Sequence, residues 1–266
     1  MHQKYTELVD HLKQYDRVGI CLSGGSSSAL VAIAAVEALG QENVVAITAN
    51  TPFFTGEELL SSKDLCRRLG LKLHIPNTDL LSNAAVVMNG PDRCYHRKRC
   101  IVAAINNAAI SMGIKVLLDG SCASSKDFVV QEEQNERALS ELGIHCPLRT
   151  VGITRNEVKD IMTELSMGYY LRPENACLAT RIPYGEQISI KKLRWIRAAE
   201  NYIRSLGYGI VRVRVSHGAA RVEVGIEDLP DILEQKDEVI NELKEMGFLD
   251  VTIDEEGFKR EVASCL

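Results

Sequence analysis

RVGICLSGGSSSALVAIAAVEALG, residues 17–40, is the stretch from which the fold can be read. It opens on a short apolar run with β-branched residues, 17–22, of the length of a buried strand. A glycine- and serine-rich segment follows, Ser23-Gly24-Gly25-Ser26-Ser27-Ser28. Residues 29–39 then have helical length and composition, with Gly40 as the stop signal. The order is strand, permissive turn, helix. Two glycines let the main chain come close to a ligand, and serine hydroxyls add donors. The first turn of the helix offers unpaired N–H groups and the positive end of its dipole. Such a turn is expected to bind phosphate or pyrophosphate; the plainer alternative is a serine-rich turn that only caps a helix. It is not of the Walker type, because no GxxxxGK[ST] occurs.

Outward from this stretch the alternation continues. Residues 7–14 read as an amphipathic helix, 43–48 as a strand, 56–69 as a helix and 71–75 as a strand. A long helix over 97–112, closed by Gly113, leads to a strand over 115–119. Continuous apolar strands separated by helices predict a parallel sheet with helices on both faces. Ligands of such sheets sit beyond the carboxyl ends of the strands, which points to the residues after Leu22, Thr48 and Asp119. From about residue 190 the pattern changes to a helix (191–206), strands over 210–216 and 220–224, a helix over 229–246 and a strand over 250–253. The alternation VRVRV sets Arg212 and Arg214 on one face and Val211, Val213 and Val215 on the other. The expected organisation is an α/β domain over 1–172, a linker over 173–187 rich in Pro, Gly and polar residues, and a small α+β domain over 188–266.

Composition narrows the function classes. Of 266 residues, 45% are hydrophobic and 25% charged, as in ordinary soluble proteins. Thirty-one Lys and Arg against 36 Asp and Glu give a net charge of −5, which weighs against nucleic acid as a partner. The longest strongly apolar stretch, 29–39, is too short for a bilayer and contains Glu37. Residues 1–16 are polar and carry no secretory apolar core, so a cytoplasmic location is expected. Eight cysteines without a CxxC pair suggest reduced thiols rather than a disulfide scaffold or structural zinc.

SGGSSS after the first strand resembles the SGGxDS pyrophosphate loop of the PP-loop ATP pyrophosphatases. Within that superfamily the chain resembles the LarE family of ATP-dependent sacrificial sulfur transferases over nearly its whole length. The matching segments are Asn50-Thr51-Pro52, Gly90-Pro91-Asp92-Arg93-Cys94-Tyr95, Asp119-Gly120-Ser121, residues 176–185 (ACLATRIPYG), Arg212-Val213-Arg214 and Gly257-Phe258. The ACLATRIPYG segment is the most specific, since a PP-loop alone is shared with amidotransferases and tRNA enzymes.

The resemblance implies a PP-loop, adenine nucleotide alpha hydrolase-like sheet and a defined reaction. A carboxylate of a pyridinium biscarboxylic acid mononucleotide is adenylated with ATP and Mg2+, and a cysteine attacks the acyl-adenylate. That cysteine then gives up its sulfur and is left as dehydroalanine, the product being a thiocarboxylate precursor of the nickel-pincer nucleotide. On this sequence the resemblance assigns nucleotide binding to Ser23, Gly24, Gly25, Ser26, Ser27, Ser28, Thr48, Asn50 and Gly120. It assigns sulfur donation to Cys177 with Arg181 beside it, and substrate binding to Arg97, Arg212, Arg214 and Glu223. Some family members hold an iron–sulfur cluster instead; a four-iron four-sulfur cluster here would draw on Cys94, Cys100, Cys122 and Cys177. A symmetric homo-oligomer is also implied.

The residues themselves leave alternatives open. A guanidinium near Cys177 favours the nucleophilic thiolate, whereas free cysteines are often buried and inert. The Arg212–Arg214 face suits a phosphate or is a salt-bridged, solvated sheet face. The basic run 93–100 attracts anions or is a solvated helix start. Three departures from the family pattern bear on catalysis. Ser27 replaces the loop aspartate that helps place magnesium, and a hydroxyl is a weaker ligand for a hard cation. Cys122-Ala123-Ser124-Ser125 replaces a stretch with acidic residues, leaving Asp119 or Asp127 as metal-holding groups, and Arg97 stands where a second cysteine is usual. The competing readings are a non-catalytic nucleotide-binding paralogue or partner subunit, and a tRNA-thiolating enzyme on the same fold.

Overall fold

A computed structural model describes residues 2–123, 130–171 and 177–258. Ser124, Ser125, Asp127 and linker residues 173–176 lie outside the described residues. The chain divides into two compact units, one of Met1–Leu80 with Cys94–Asn175, the other of Leu81–Arg93 with Ala176–Leu266.

In the first unit, α1 (Gln3–Leu12) precedes β1 (Val18–Cys21), α2 (Ser26–Leu39), β2 (Val44–Ile47), α3 (Glu57–Leu69) and β3 (Lys72–His74). After the short α4 (Ala84–Val87), which belongs to the second unit, come α5 (Arg93–Ser111) and β4 (Leu117–Asp119). Helices α6 (Val130–Glu141), α7 (Pro147–Thr150) and α8 (Arg155–Glu164) complete the unit. The sheet has the order β3-β2-β1-β4, with every pairing parallel. The expected α/β parallel sheet flanked by helices is therefore present. Strands β1 and β2 are buried at every position, as strands covered on both faces must be. Helix α2 is buried from Ser28 to Ala35, apolar all round, and packs on α1, α8 and the sheet. Its alanines 29, 32, 34 and 35 let these neighbours approach closely.

In the second unit, α9 (Ile190–Ser205) leads into β5 (Val211–Ser216) and β6 (Ala219–Val224). Then follow α10 (Leu229–Glu234), α11 (Lys236–Glu245) and β7 (Asp250–Ile253). The sheet order is β5-β6-β7, antiparallel in the first pairing and parallel in the second. The single helix expected over 229–246 is two helices, broken at Gln235, whose side-chain amide donates to the Tyr208 hydroxyl at 3.0 Å. The segment Leu81–Arg93, expected in the N-terminal domain, groups with the C-terminal unit because its main and side chains are bonded to residues 179–188. No helix of the described residues is long and apolar enough to cross a membrane.

Helix α8 begins with a capping box, in which Thr154 and Glu157 satisfy each other's amides. Glu157 also takes the Lys4 ammonium at 2.7 Å. Lys4 and the Thr154 amide hold the Glu157 carboxyl down at about 2, against an ordinary 4.5. A depressed carboxyl stabilises the fold above its unfolded value and loses that contribution as the pH falls through the folded one. Glu157→Gln, which keeps the capping geometry, is therefore expected to flatten the loss of thermal stability between about pH 4.5 and about 2. Parallel melting-temperature profiles for variant and wild type would contradict this.

Candidate active site

The strand order reverses between β1 and β4, because the chain runs outward through β2 and β3 and returns to the other side of β1. Cys21 and Asp119, the last residues of these two strands, are register partners. The loops that follow them flank the crevice where parallel sheets bind ligands. Residues 23–28 form the first of these loops. Gly24 has φ +78°, and a Cβ there would fall 2.3 Å from the Glu58 carbonyl oxygen in the first turn of α3, so glycine is required on both counts. The Ser23 amide donates to the Ser28 hydroxyl at 3.1 Å, and that hydroxyl donates to the Gly25 carbonyl at 3.0 Å. No side chain caps α2 at Gly25. The capping alternative is thus not what the serines do: Ser28 braces the loop from within and the first amides of α2 are left without a side-chain acceptor. Gly120 closes the other wall, since a Cβ there would lie 2.5 Å from the Ser28 nitrogen. Beyond β2, Thr48 is buried and bonded through its amide to His74, while Asn50 is exposed and bridges to Asn77.

The electrostatics of this crevice centre on Asp119. Its carboxylate accepts the Lys98 ammonium at 2.8 Å and both the amide and hydroxyl of Ser121, at 3.0 and 2.6 Å. Burial alone would raise its pKa, but Lys98 and Ser121 outweigh it and the carboxyl titrates below its ordinary value. Burial, with Asp119 adding to it, pushes the Cys21 thiol up, and pushes Cys146 up to about 11. Both are therefore protonated thiols at neutral pH. Ser27 and Cys122 meet hydroxyl to thiol at 3.3 Å, so the position of the family's aspartate is filled by two neutral, weakly polar groups.

Among the described residues, the donors of this crevice are those of a polyphosphate site and not of a protein-held magnesium. Asp119 is already paired, Ser27 is a hydroxyl, and no group of three or more His, Cys, Asp or Glu among the described residues is placed to hold a metal ion. The cysteines expected at a cluster form no such group among the described residues. Cys94 is buried within α5, Cys100 lies a turn and a half further along it, and Cys122 follows β4 beside Ser27. Arg97, expected at the substrate, has its Nε buried without a hydrogen-bond partner. Its neighbour Lys98 is the residue that reaches the crevice. The sequence marked the basic run 93–100 but carried no signal for which member would turn toward β4.

In the second unit, Cys177 is half-buried and opens a single turn of 3-10 helix, Leu178–Arg181. Its carbonyl accepts the Thr180 amide at 2.9 Å and hydroxyl at 2.8 Å, and the Arg181 guanidinium at 3.5 Å. Arg181 is 2% exposed and forms a two-pronged pair with Glu200, at 2.7 and 3.3 Å. The expected cation beside the thiol is thus committed to a buried carboxylate and touches Cys177 through its main chain. Glu200 also accepts Arg204 at 2.8 Å and the Val213 amide at 3.2 Å. On the sheet, Glu223 accepts Arg214 at 2.5 Å and Arg221 at 3.0 Å on one oxygen, while its other oxygen is buried without a partner. Arg212 is 6% exposed, lies 5.0 Å above the Phe258 ring and is pushed down to about 10 by burial and by Arg181. On this face Arg212 is buried, Arg214 is partly buried and Arg221 is exposed. Among the described residues, Arg181 and Arg204 are paired with Glu200, and Arg214 and Arg221 with Glu223.

Gly24→Ala is expected to weaken pyrophosphate binding about tenfold or more, measured by titration calorimetry, because the loop must move off α3 to admit the methyl group. An unchanged affinity would show that the loop does not hold the anion.

Residues 4–116 match the family described as NAD synthase. The chain is 31% identical over 261 residues to the pyridinium-3,5-bisthiocarboxylic acid mononucleotide synthase of Lactiplantibacillus plantarum, covering 96% of this chain and 92% of that one. It is 32% identical to an uncharacterised protein of Synechocystis, over 97% and 96% of the two chains. A glutamine-dependent NAD(+) synthetase of Thermotoga maritima is 34% identical over 88 residues, 32% of this chain and 15% of that protein. The short likeness to NAD synthetases marks a shared nucleotide-site fold. The long one spans both units, and by it the chain belongs to the LarE family of PP-loop proteins, together with the Lactiplantibacillus mononucleotide synthase.

Proposed function

We propose that this protein is an ATP-dependent sulfur transferase that makes the thiocarboxylate precursor of the nickel-pincer nucleotide, with Cys177 as the sulfur donor. The observation that carries the reading is the likeness to the Lactiplantibacillus synthase over both units, which takes in the PP-loop and residues 177–185 alike.

In this reading, the amides of residues 24–28 and the open start of α2 receive the pyrophosphate of ATP, with Thr48, Asn50 and Gly120 beside the nucleoside. Lys98, by pairing with Asp119, offsets the repulsion that carboxylate would exert on the phosphates. The substrate carboxylate attacks the α-phosphorus, pyrophosphate leaves, and an acyl-adenylate results. The Cys177 thiolate then displaces AMP and forms a thioester. Loss of the Cα proton of residue 177 with cleavage of its Cβ–S bond releases the thiocarboxylate and leaves dehydroalanine. Arg212, Arg214 and Arg221, held by Glu223, are suited to the phosphate of the mononucleotide, and Arg97 belongs to the substrate side of the same reading. Magnesium accompanies ATP in this family, and the described donors of this loop give it no protein-held place. A homo-oligomer and a cytoplasmic location go with the reading.

One observation favours a second reading. Ser27 facing Cys122, with Asp119 paired to Lys98, is the arrangement expected of a relative that binds nucleotide without turning it over. Intact-mass spectrometry with a pyrophosphate assay separates the two, using ATP, magnesium and the pyridinium biscarboxylate mononucleotide. The expected result is pyrophosphate from both wild type and Cys177→Ala, with loss of the elements of H2S only from wild type and only at residue 177. Bound nucleotide with no pyrophosphate and an intact Cys177 would overturn the first reading in favour of the second.

A further inference from the structure

The segment leading into α5, residues 81–93, has a role that its sequence does not announce. Asn89 is wholly buried, and its φ of +55° is one that few residues other than glycine and asparagine adopt readily. Its side-chain nitrogen donates to three carbonyls of one loop, Ile182 at 3.3 Å, Pro183 at 2.7 Å and Glu186 at 2.9 Å. Its own carbonyl accepts the Gly185 amide at 3.0 Å. Its side-chain oxygen accepts Arg93 Nη1 at 2.6 Å. Arg93 is 3% exposed, donates from the same nitrogen to the Ala179 carbonyl at 3.0 Å, and lies 4.6 Å from the centre of the Tyr184 ring. The Ile188 amide adds a bond to the Val87 carbonyl at 2.9 Å.

These bonds fall on the main chain immediately after Cys177. The turn Leu178–Arg181 is one turn of 3-10 helix, a conformation with poor hydrogen-bond geometry and little stability of its own. Residues 182–189 add no regular structure to hold it. Arg181, through Glu200, fixes one side of the turn. Asn89 and Arg93 fix the other, from nearly ninety residues away in sequence. An arginine this deeply buried, with its guanidinium spent on a carbonyl, a side-chain amide and a ring face, is not a reader of phosphate or carboxylate at a surface.

We propose that Asn89 and Arg93 are positioning residues for Cys177: they set the main-chain path of the turn that carries the thiol, so that sulfur transfer depends on them and nucleotide activation does not. The proposal rests on the reading of Cys177 as sulfur donor. A nucleophile held about 1 Å out of place loses on the order of a hundredfold in rate.

Three variants test it. Asn89→Gly keeps the positive φ but deletes the amide, Arg93→Met deletes the guanidinium at similar length, and Arg93→Lys restores the charge without the planar fork. Each is assayed in the full chain for pyrophosphate release, for loss of sulfur from residue 177, and for the pH profile of Cys177 alkylation by iodoacetamide, followed on its peptide. Asn89→Gly and Arg93→Met are expected to release pyrophosphate within about twofold of wild type, to transfer sulfur roughly a hundredfold more slowly, and to alkylate at Cys177 with an altered profile. Arg93→Lys is expected to fall between Arg93→Met and wild type. Folded variants that transfer sulfur at the wild-type rate, or that lose both steps in proportion, would overturn the proposal. Should wild type itself keep its sulfur, the donor reading fails, and the alkylation profile alone decides: a profile in Asn89→Gly identical to wild type would then refute positioning. If Arg93→Met does not fold, Asn89→Gly and Arg93→Lys carry the comparison.

Discussion

The Arg181 guanidinium and the Glu200 carboxylate meet in the interior of the C-terminal unit, where neither reaches water. Such a pair gains little over apolar packing, yet removing one partner leaves a buried charge and costs about 3–5 kcal/mol. What it does is fix geometry. Glu200 sits on α9, takes Arg204 one turn along the same helix, and accepts the Val213 amide of β5. Through Arg181 it holds the turn that follows Cys177 against both elements. Thr180 is tied in as well, its carbonyl accepting Arg214 at 3.4 Å. The turn that follows Cys177, the helix and the arginine-bearing sheet are therefore one hydrogen-bonded construction rather than separate motifs.

The N-terminal unit is organised by a different constraint, the reversal of strand order between β1 and β4. It brings Gly24, Gly120 and the open start of α2 into one crevice, the two glycines with main chain packed too closely for a side chain. What differs from the family pattern is the charge. A hydroxyl and a thiol stand where an aspartate is usual, and the carboxylate that remains is neutralised by Lys98. A crevice altered in this way is more receptive to anions and offers less to a divalent cation.

Much of this was legible in the sequence, and what was missed has physical reasons. Strand–turn–helix over 17–40 fixed the sheet class, because apolar runs of that length have few other uses. The serines 26–28 were read as loop but are the first turn of α2: serine is a poor residue for a helix interior and an acceptable one at its start. Helix α6 shows no apolar periodicity, so nothing in QEEQNERALSE announced it. Helix α8 was not read either, although Thr154 and Glu157 stand at the capping-box spacing. Side-chain direction was the least legible feature. Nothing local distinguishes Lys98, turned to Asp119, from Arg97 beside it, nor marks Arg93 as buried and Arg181 as spent on a carboxylate. Those assignments depend on partners up to 86 residues away, as in the bond from Arg93 to Ala179.

The central claim is that the transferred sulfur comes from the protein's own Cys177. The most direct measurement follows the atom itself. Protein grown on heavy-sulfur cysteine is turned over with ATP and unlabelled pyridinium biscarboxylate mononucleotide in the presence of ordinary sulfide, and the thiocarboxylate is weighed. Heavy sulfur in the product, never exceeding one atom per chain, with dehydroalanine at position 177, is the expected result. A product carrying ordinary sulfur while residue 177 remains cysteine would contradict the account.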